Sequence, residues 1–122
     1  PEAFAGCFTA DGIMESAGFR FEGRDAIRAW KEAGRTFRAK FRVHHVSSIH
    51  IDLTSADTAS CRSAWFVVTE IGPDHSGLYF DTFVREGDRW LIHHRIADAL
   101  WRADNSSVGP EVIGSKSGRV RL

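Results

Sequence analysis

Cysteine, proline and any surplus of charge are scarce in this chain, and each shortage narrows what it can be. Its two cysteines, Cys7 and Cys61, form no CxxC pair, so neither a zinc knuckle nor a disulfide framework is expected. Sixteen Lys and Arg balance sixteen Asp and Glu. That leaves no overall field to draw in nucleic acid or an anionic membrane, and neither is an expected partner. The longest apolar stretches, such as Ala64 to Val68, are far too short to span a bilayer. No secretory hydrophobic region opens the chain, so the expected location is cytoplasmic. Internal repeats and low-complexity core segments are also missing. The chain starts at Pro1, without Met, and reaches apolar-periodic sequence within a few residues; a processed start or an omitted upstream segment is expected.

What is present is enough for one domain. The 122 residues are 43% hydrophobic and include nine Phe and four Trp, which suffices for a packed core. Phe4, Cys7 and Phe8 recur at helical spacing, so residues 2–8 read as a short helix that breaks at Thr9 to Gly12. Phe19-Arg20-Phe21 alternates like a strand, and residues 11–23 read as a hairpin. From Arg24 the period changes. Ala26, Ile27, Trp30, Ala33 and Phe37 share one face of a helix over 24–38, and Arg24, Arg28, Lys31 and Arg35 read as its solvated face. Strand patterns follow over 42–53, 58–71, 77–85 and 89–101, with Gly72-Pro73-Asp74 closing the second and Glu86-Gly87-Asp88 joining the last two. Helices first and short-turned strands afterwards predict an α+β fold, an antiparallel sheet with helices on one face. The domain is placed at 1–104, and the Ser/Gly-rich tail 105–122 is expected to be poorly ordered or packed on a neighbour.

Four segments, in this order, resemble a known family. They are Phe8 to Gly12 leading to Phe21 to Ile27; His44 to Ile49; Gly77-Leu78-Tyr79-Phe80-Asp81-Thr82-Phe83-Val84-Arg85; and Asp88 to Arg95. Together they are similar to the SnoaL-like branch of the NTF2-like (cystatin-like) superfamily. The resemblance implies a cone-shaped fold, a curved antiparallel sheet on a long helix, with a pocket for a small hydrophobic molecule. It implies a lyase or isomerase without cofactor, or a non-catalytic partner subunit such as those of ring-hydroxylating dioxygenases, and in either case a homodimer. Such domains usually open with a longer helix ahead of the segment matching Phe4 to Phe8, which often supplies a Tyr or Asp to the pocket; that helix is expected to be missing here. In ketosteroid isomerases the base is an Asp directly after the segment matching Gly12–Glu15; here that position is Ser16, so that chemistry is not expected.

The chemistry-bearing candidates are few. Asp81 sits mid-strand between Tyr79 and Phe83, and a carboxylate there must be paired, hydrated or protonated. The resemblance implies a neutral acid that holds an oxyanion; a cross-sheet ion pair, with Arg95, is the competing reading. A three-residue hairpin loop sets Asp81 opposite His93, and a two-residue loop sets it opposite His94. An Asp–His pair would raise the imidazole's basicity and suit it to general base work. His44 and His45 are the second cluster, and the resemblance implies a proton-transfer base at His44. Strict alternation from Ile49, Ile51 and Leu53 turns His45 to the core; a bulge at Ser47-Ser48 turns His44 there instead. Adjacent histidines on a strand point to opposite faces, so the two HH pairs make poor metal sites and no metal is expected. Trp30, Trp65, Tyr79 and Phe83 are the expected apolar contacts for a ligand.

Overall fold

Alternation of apolar residues with a period of two gives way to helical spacing in one stretch of the chain, and the folded elements follow that division. In the computed structural model, which describes residues 1–34 and 39–120, the order is α1 (Glu2–Ala5), β1 (Phe8–Ser16), β2 (Phe19–Glu22), α2 (Arg24–Ala33), β3 (Val43–Leu53), β4 (Thr58–Thr69), β5 (Gly72–Glu86) and β6 (Arg89–Arg102). A single 3-10 turn, Pro110–Val112, lies in the tail. The expected continuation of α2 through Phe37 lies outside the described residues. No described helix is long and apolar enough to cross a membrane.

The strands form one curved six-stranded sheet in the order β2-β1-β6-β5-β4-β3. It is mixed, not wholly antiparallel as the sequence suggests, because β1 runs parallel to β6. The expected break at Thr9 to Gly12 is a register shift inside β1, between Phe8 and Ile13. Pro73, expected to end β4, sits inside β5 opposite Val68, where a bulge relieves the ladder of the hydrogen bond that proline cannot donate.

The core lies between α2 and the β1–β6 end of the sheet. Phe8, Met14, Ile27 and Ile92 are buried there, with Phe4, Phe21, Trp30 and Phe83 packed against them. Ile27 is the one buried residue of α2 and is wholly removed from water, which contributes about 1.5–3 kcal/mol. Toward the other end the sheet runs bare. Every residue of β3 is exposed, including Val46, Ile49, Ile51 and Leu53.

The described part of the tail, through residue 120, lies against the sheet. Two buried carboxylates hold it to the sheet. Asp74 accepts from Ser106 Oγ and from the Ser107 amide at 3.0 Å, and Asp98 accepts from Ser115 Oγ at 2.8 Å and Ser117 Oγ at 2.5 Å. Serines of the tail serve as donors to these acids. Gly77 lets β5 approach β6 closely: a Cβ there would stand 1.9 Å from the Asp98 carbonyl oxygen and 2.7 Å from Trp65 Cζ2.

Candidate functional site

Residues directly paired across a ladder share a face, and the pairs define one wall. Met14 pairs with Arg95, Tyr79 with Ala97, Trp65 with Gly77, and Val67 with both His44 and His75. This wall, α2 and the tail line an open-sided cavity of about 280 Å³. Its apolar lining comes from Phe4, Met14, Trp30, Trp65, Val108 and Val112, and its polar lining includes Lys31, Arg42, His44, His75, Tyr79 and Arg95. Among the described residues no group of three His, Cys, Asp or Glu converges as a metal site would need.

His44 reaches the cavity because β3 carries a bulge. The register slips between Ser47 and His50, and Ser48 takes a left-handed φ of 49°. His44 is open to water on one side, yet partial desolvation against the cavity wall, followed by the positive charges of Lys31 and Arg42, lowers the imidazole to about 4. His45 faces the other side of the sheet, where it stacks on Phe66 at 4.6 Å.

The pairing of Asp81 with a histidine does not occur. The β5–β6 hairpin has the two-residue loop, with Glu86 opposite Arg89, but a second register shift between Thr82 and Phe83 adds one residue on β6. Arg95 therefore stands opposite Asp81 in place of His94. Its Nε donates to Oδ1 at 2.8 Å and its Nη2 to Oδ2 at 2.7 Å. Burial opposes the charge on Arg95, and the Asp81 hydrogen bonds outweigh it, so the guanidinium's pKa is raised. The guanidinium also lies 4.1 Å over the Tyr79 ring. His93, in the bulge, lies 3.3 Å from Thr9 Oγ1, and His94 is on the opposite face, 2.6 Å from Glu15. Trp30, Trp65 and Tyr79 line the cavity, whereas Phe83 packs in the core cluster. Lys31, read as part of a solvated helix face, is half-buried and holds its Nζ 4.6 Å from the Phe4 ring centre. Arg35 lies outside the described residues.

The group that sequence reasoning missed is His75. Its Nδ1 lies 2.7 Å from Asp74 Oδ1, and its ring stands edge-on to Trp65 at 5.7 Å. Burial alone would raise the Asp74 pKa; hydrogen bonds from Ser106, Ser107, His75 and Thr69 outweigh it and hold the acid well below the usual carboxylate range. An ionised acceptor at Nδ1 fixes the proton there in the neutral imidazole. Nε2 is then a lone-pair acceptor, with no protein hydrogen bond among the described residues. A signal was available, since counting back by twos from Tyr79 through Gly77 puts His75 on the cavity face. The Gly72-Pro73 turn reading hid it. Tyr79, stacked on Trp65 at 5.5 Å, has its phenol pKa raised by burial and stays a hydrogen-bond donor. The Trp65 Nε1–H, in a residue 7% exposed, has no hydrogen-bond partner among the described residues.

A curved sheet closing over a helix around an aromatic cavity with two histidines in its lining defines a cavity-bearing α+β domain. The family model for the SnoaL-like domain matches residues 1–96, and the chain belongs to that family. Among solved structures it is similar to a provisionally named scytalone dehydratase from Novosphingobium aromaticivorans, with a TM-score of 0.80 and 29% identity over 99% of this chain and 82% of that one. A protein of unknown function from Mycobacterium tuberculosis matches with a TM-score of 0.72 and 30% identity, over 94% of this chain and 73% of that one. The β subunit of a provisionally named aromatic-ring-hydroxylating dioxygenase from Novosphingobium aromaticivorans shares the fold alone, at 16% identity and a TM-score of 0.67 over 80% of this chain and 74% of that one. No curated protein matches the chain.

Proposed function

We propose that this protein is a cofactor-independent lyase or isomerase that moves a proton on a hydrophobic, cyclic small molecule held in the cavity. The observation that carries the reading is His75, buried in the cavity wall with Asp74 fixing its Nδ1 and leaving Nε2 a free base. Nε2 removes a proton beside a carbonyl, while the Tyr79 hydroxyl hydrogen-bonds the oxygen on which charge develops. His44, uncharged at neutral pH, is the second proton carrier. Asp81 and Arg95 form the paired floor beneath Tyr79 and do not exchange protons. His45, His93 and His94 take no part. The 29% identical relative's name, a dehydratase, supports this class of reaction.

The test is turnover of a bicyclic β-hydroxyketone that aromatises on losing water, followed by ultraviolet absorbance. His75→Gln lowers kcat by on the order of a hundredfold or more, the usual contribution of a general base. Unchanged turnover in that variant would refute the assignment. One observation favours a second reading, a partner subunit: Val46, Ile49, Ile51 and Leu53 of β3 are each more than half exposed. In both readings β3 packs against a second copy, and sedimentation returning a monomer at micromolar concentration would contradict that pairing.

A further inference from the structure

The cavity's charges are not balanced, and the imbalance names a substrate class. Among the described residues that line it there is no Asp or Glu. Two of its cationic or basic groups are matched by carboxylates in the wall: Asp81 bonds Arg95, and Asp74 bonds His75. Lys31 has no such match. No carboxylate among the described residues lies within ion-pair distance of it, and its Nζ sits over the Phe4 ring at 4.6 Å and 6.0 Å from the Trp30 ring centre. Burial first, and the nearby Arg42 second, lower its pKa. The Phe4 ring attracts the ammonium but carries no net negative charge, so a half-buried ammonium beside another cation is left without a counter-ion. A second donor points the same way. The Trp65 indole N–H is buried, has no hydrogen-bond partner among the described residues, and is part of a ring that lines the same cavity.

Resting on the reading of this cavity as the functional site, we propose that its substrate is a cyclic organic anion, a carboxylate or phenolate. Lys31 neutralises the charge and the rings of Trp30, Trp65 and Tyr79 hold the apolar body. The anion adds negative charge beside His44 and so favours its protonated form, which fits that side chain to deliver a proton once substrate is bound. Substrates of the same shape without the charge are discriminated against, because they leave the ammonium desolvated and unpaired.

The experiment is calorimetric titration with naphthoate and with naphthamide, which share ring and shape and differ in charge. Naphthoate binds at least tenfold tighter, and added salt weakens naphthoate but not naphthamide. Lys31→Met abolishes the preference while leaving the naphthamide affinity in place, which also shows that the variant folds; Lys31→Arg retains it. The proposal is overturned by equal affinities, by failure of naphthoate to bind, by a salt-independent naphthoate affinity, or by a preference that survives in Lys31→Met. Catalysis is read separately. Loss of turnover in His75→Gln with the naphthoate preference intact supports both statements. Turnover indifferent to His75 with the preference intact removes the proton-transfer reading alone.

Discussion

Replacing Asp74 by alanine destabilises the protein by roughly 2–4 kcal/mol. The carboxylate is 1% exposed and collects hydrogen bonds from Thr69 Oγ1 at 2.9 Å, His75 Nδ1 at 2.7 Å, the Ser107 amide, and the Ser106 and Ser107 hydroxyls. The two serines are half-buried and can turn to water when the acceptor goes. Thr69 and His75, at 2% and 8% exposure, cannot. A hydrogen bond to a charged acceptor contributes about 1.5–3 kcal/mol, so two stranded donors cost on the order of 3–6. Removing the buried charge relieves its own desolvation and offsets part of that, which leaves about 2–4 kcal/mol. At roughly 4 °C per kcal/mol for a domain of this size, Tm falls by about 8–16 °C in calorimetry. The pH dependence has a definite sign. The folded pKa lies below the unfolded value of about 3.9, so the carboxylate's contribution is complete well above pH 4 and is lost as pH falls toward the folded value. The gap between the native protein and Asp74→Ala is therefore constant from pH 6 to 8 and narrows below pH 4. A loss under about 0.5 kcal/mol, or a gap that is the same at pH 3 and pH 7, refutes the reasoning.

Three further outcomes follow from the same geometry. Gly77→Ala drives a methyl group into the Asp98 carbonyl at 1.9 Å, so circular dichroism finds it unfolded or destabilised by more than about 3 kcal/mol. Asp81→Asn breaks one side of a buried bidentate pair and costs about 3–5 kcal/mol in urea unfolding, and adding Arg95→Met to it restores part of the loss. In a proton-detected titration His44 remains neutral down to about pH 4, the value set by burial and by Lys31 and Arg42, and a His44 that titrates near 6.5 contradicts its place in the cavity.

Helix α2 and the middle of each strand were legible because their apolar spacing is regular: Ile27 and Trp30 mark a helix, and Val43 to Leu53 and Gly77 to Arg85 mark strands. The family was legible too, from an ordered set of short segments no one of which is distinctive. The site was less so, and the cause is local. Three register shifts, at Ser47–His50, Thr82–Phe83 and Val67–Val68, each change which side chains meet across the sheet. The two-residue loop removed the His93 pairing, and a shift of one residue moved Arg95 opposite Asp81 and removed the His94 one. A bulge with a left-handed Ser48 turned His44, in place of His45, toward the cavity. Such slips depend on single residues that leave no trace in periodicity. Asp74 and His75 were hidden for a related reason, since the proline before them reads as a turn and here sits within a strand. Lys31 was hidden by charge, because a lysine at helical spacing with arginines looks solvated until the aromatic rings around it are placed.

The sharpest check on the cavity as the working site is the imidazole nitrogen spectrum of the protein titrated with naphthoate. Six histidines give separate probes on both faces of the sheet. The signals of His44 and His75 shift with a common saturation curve, together with the Trp65 indole N–H, while His45, His50 and His94 stay in place. Shifts confined to His45, His50 or His94, or a His75 protonated on Nε2 alone, would contradict the assignment.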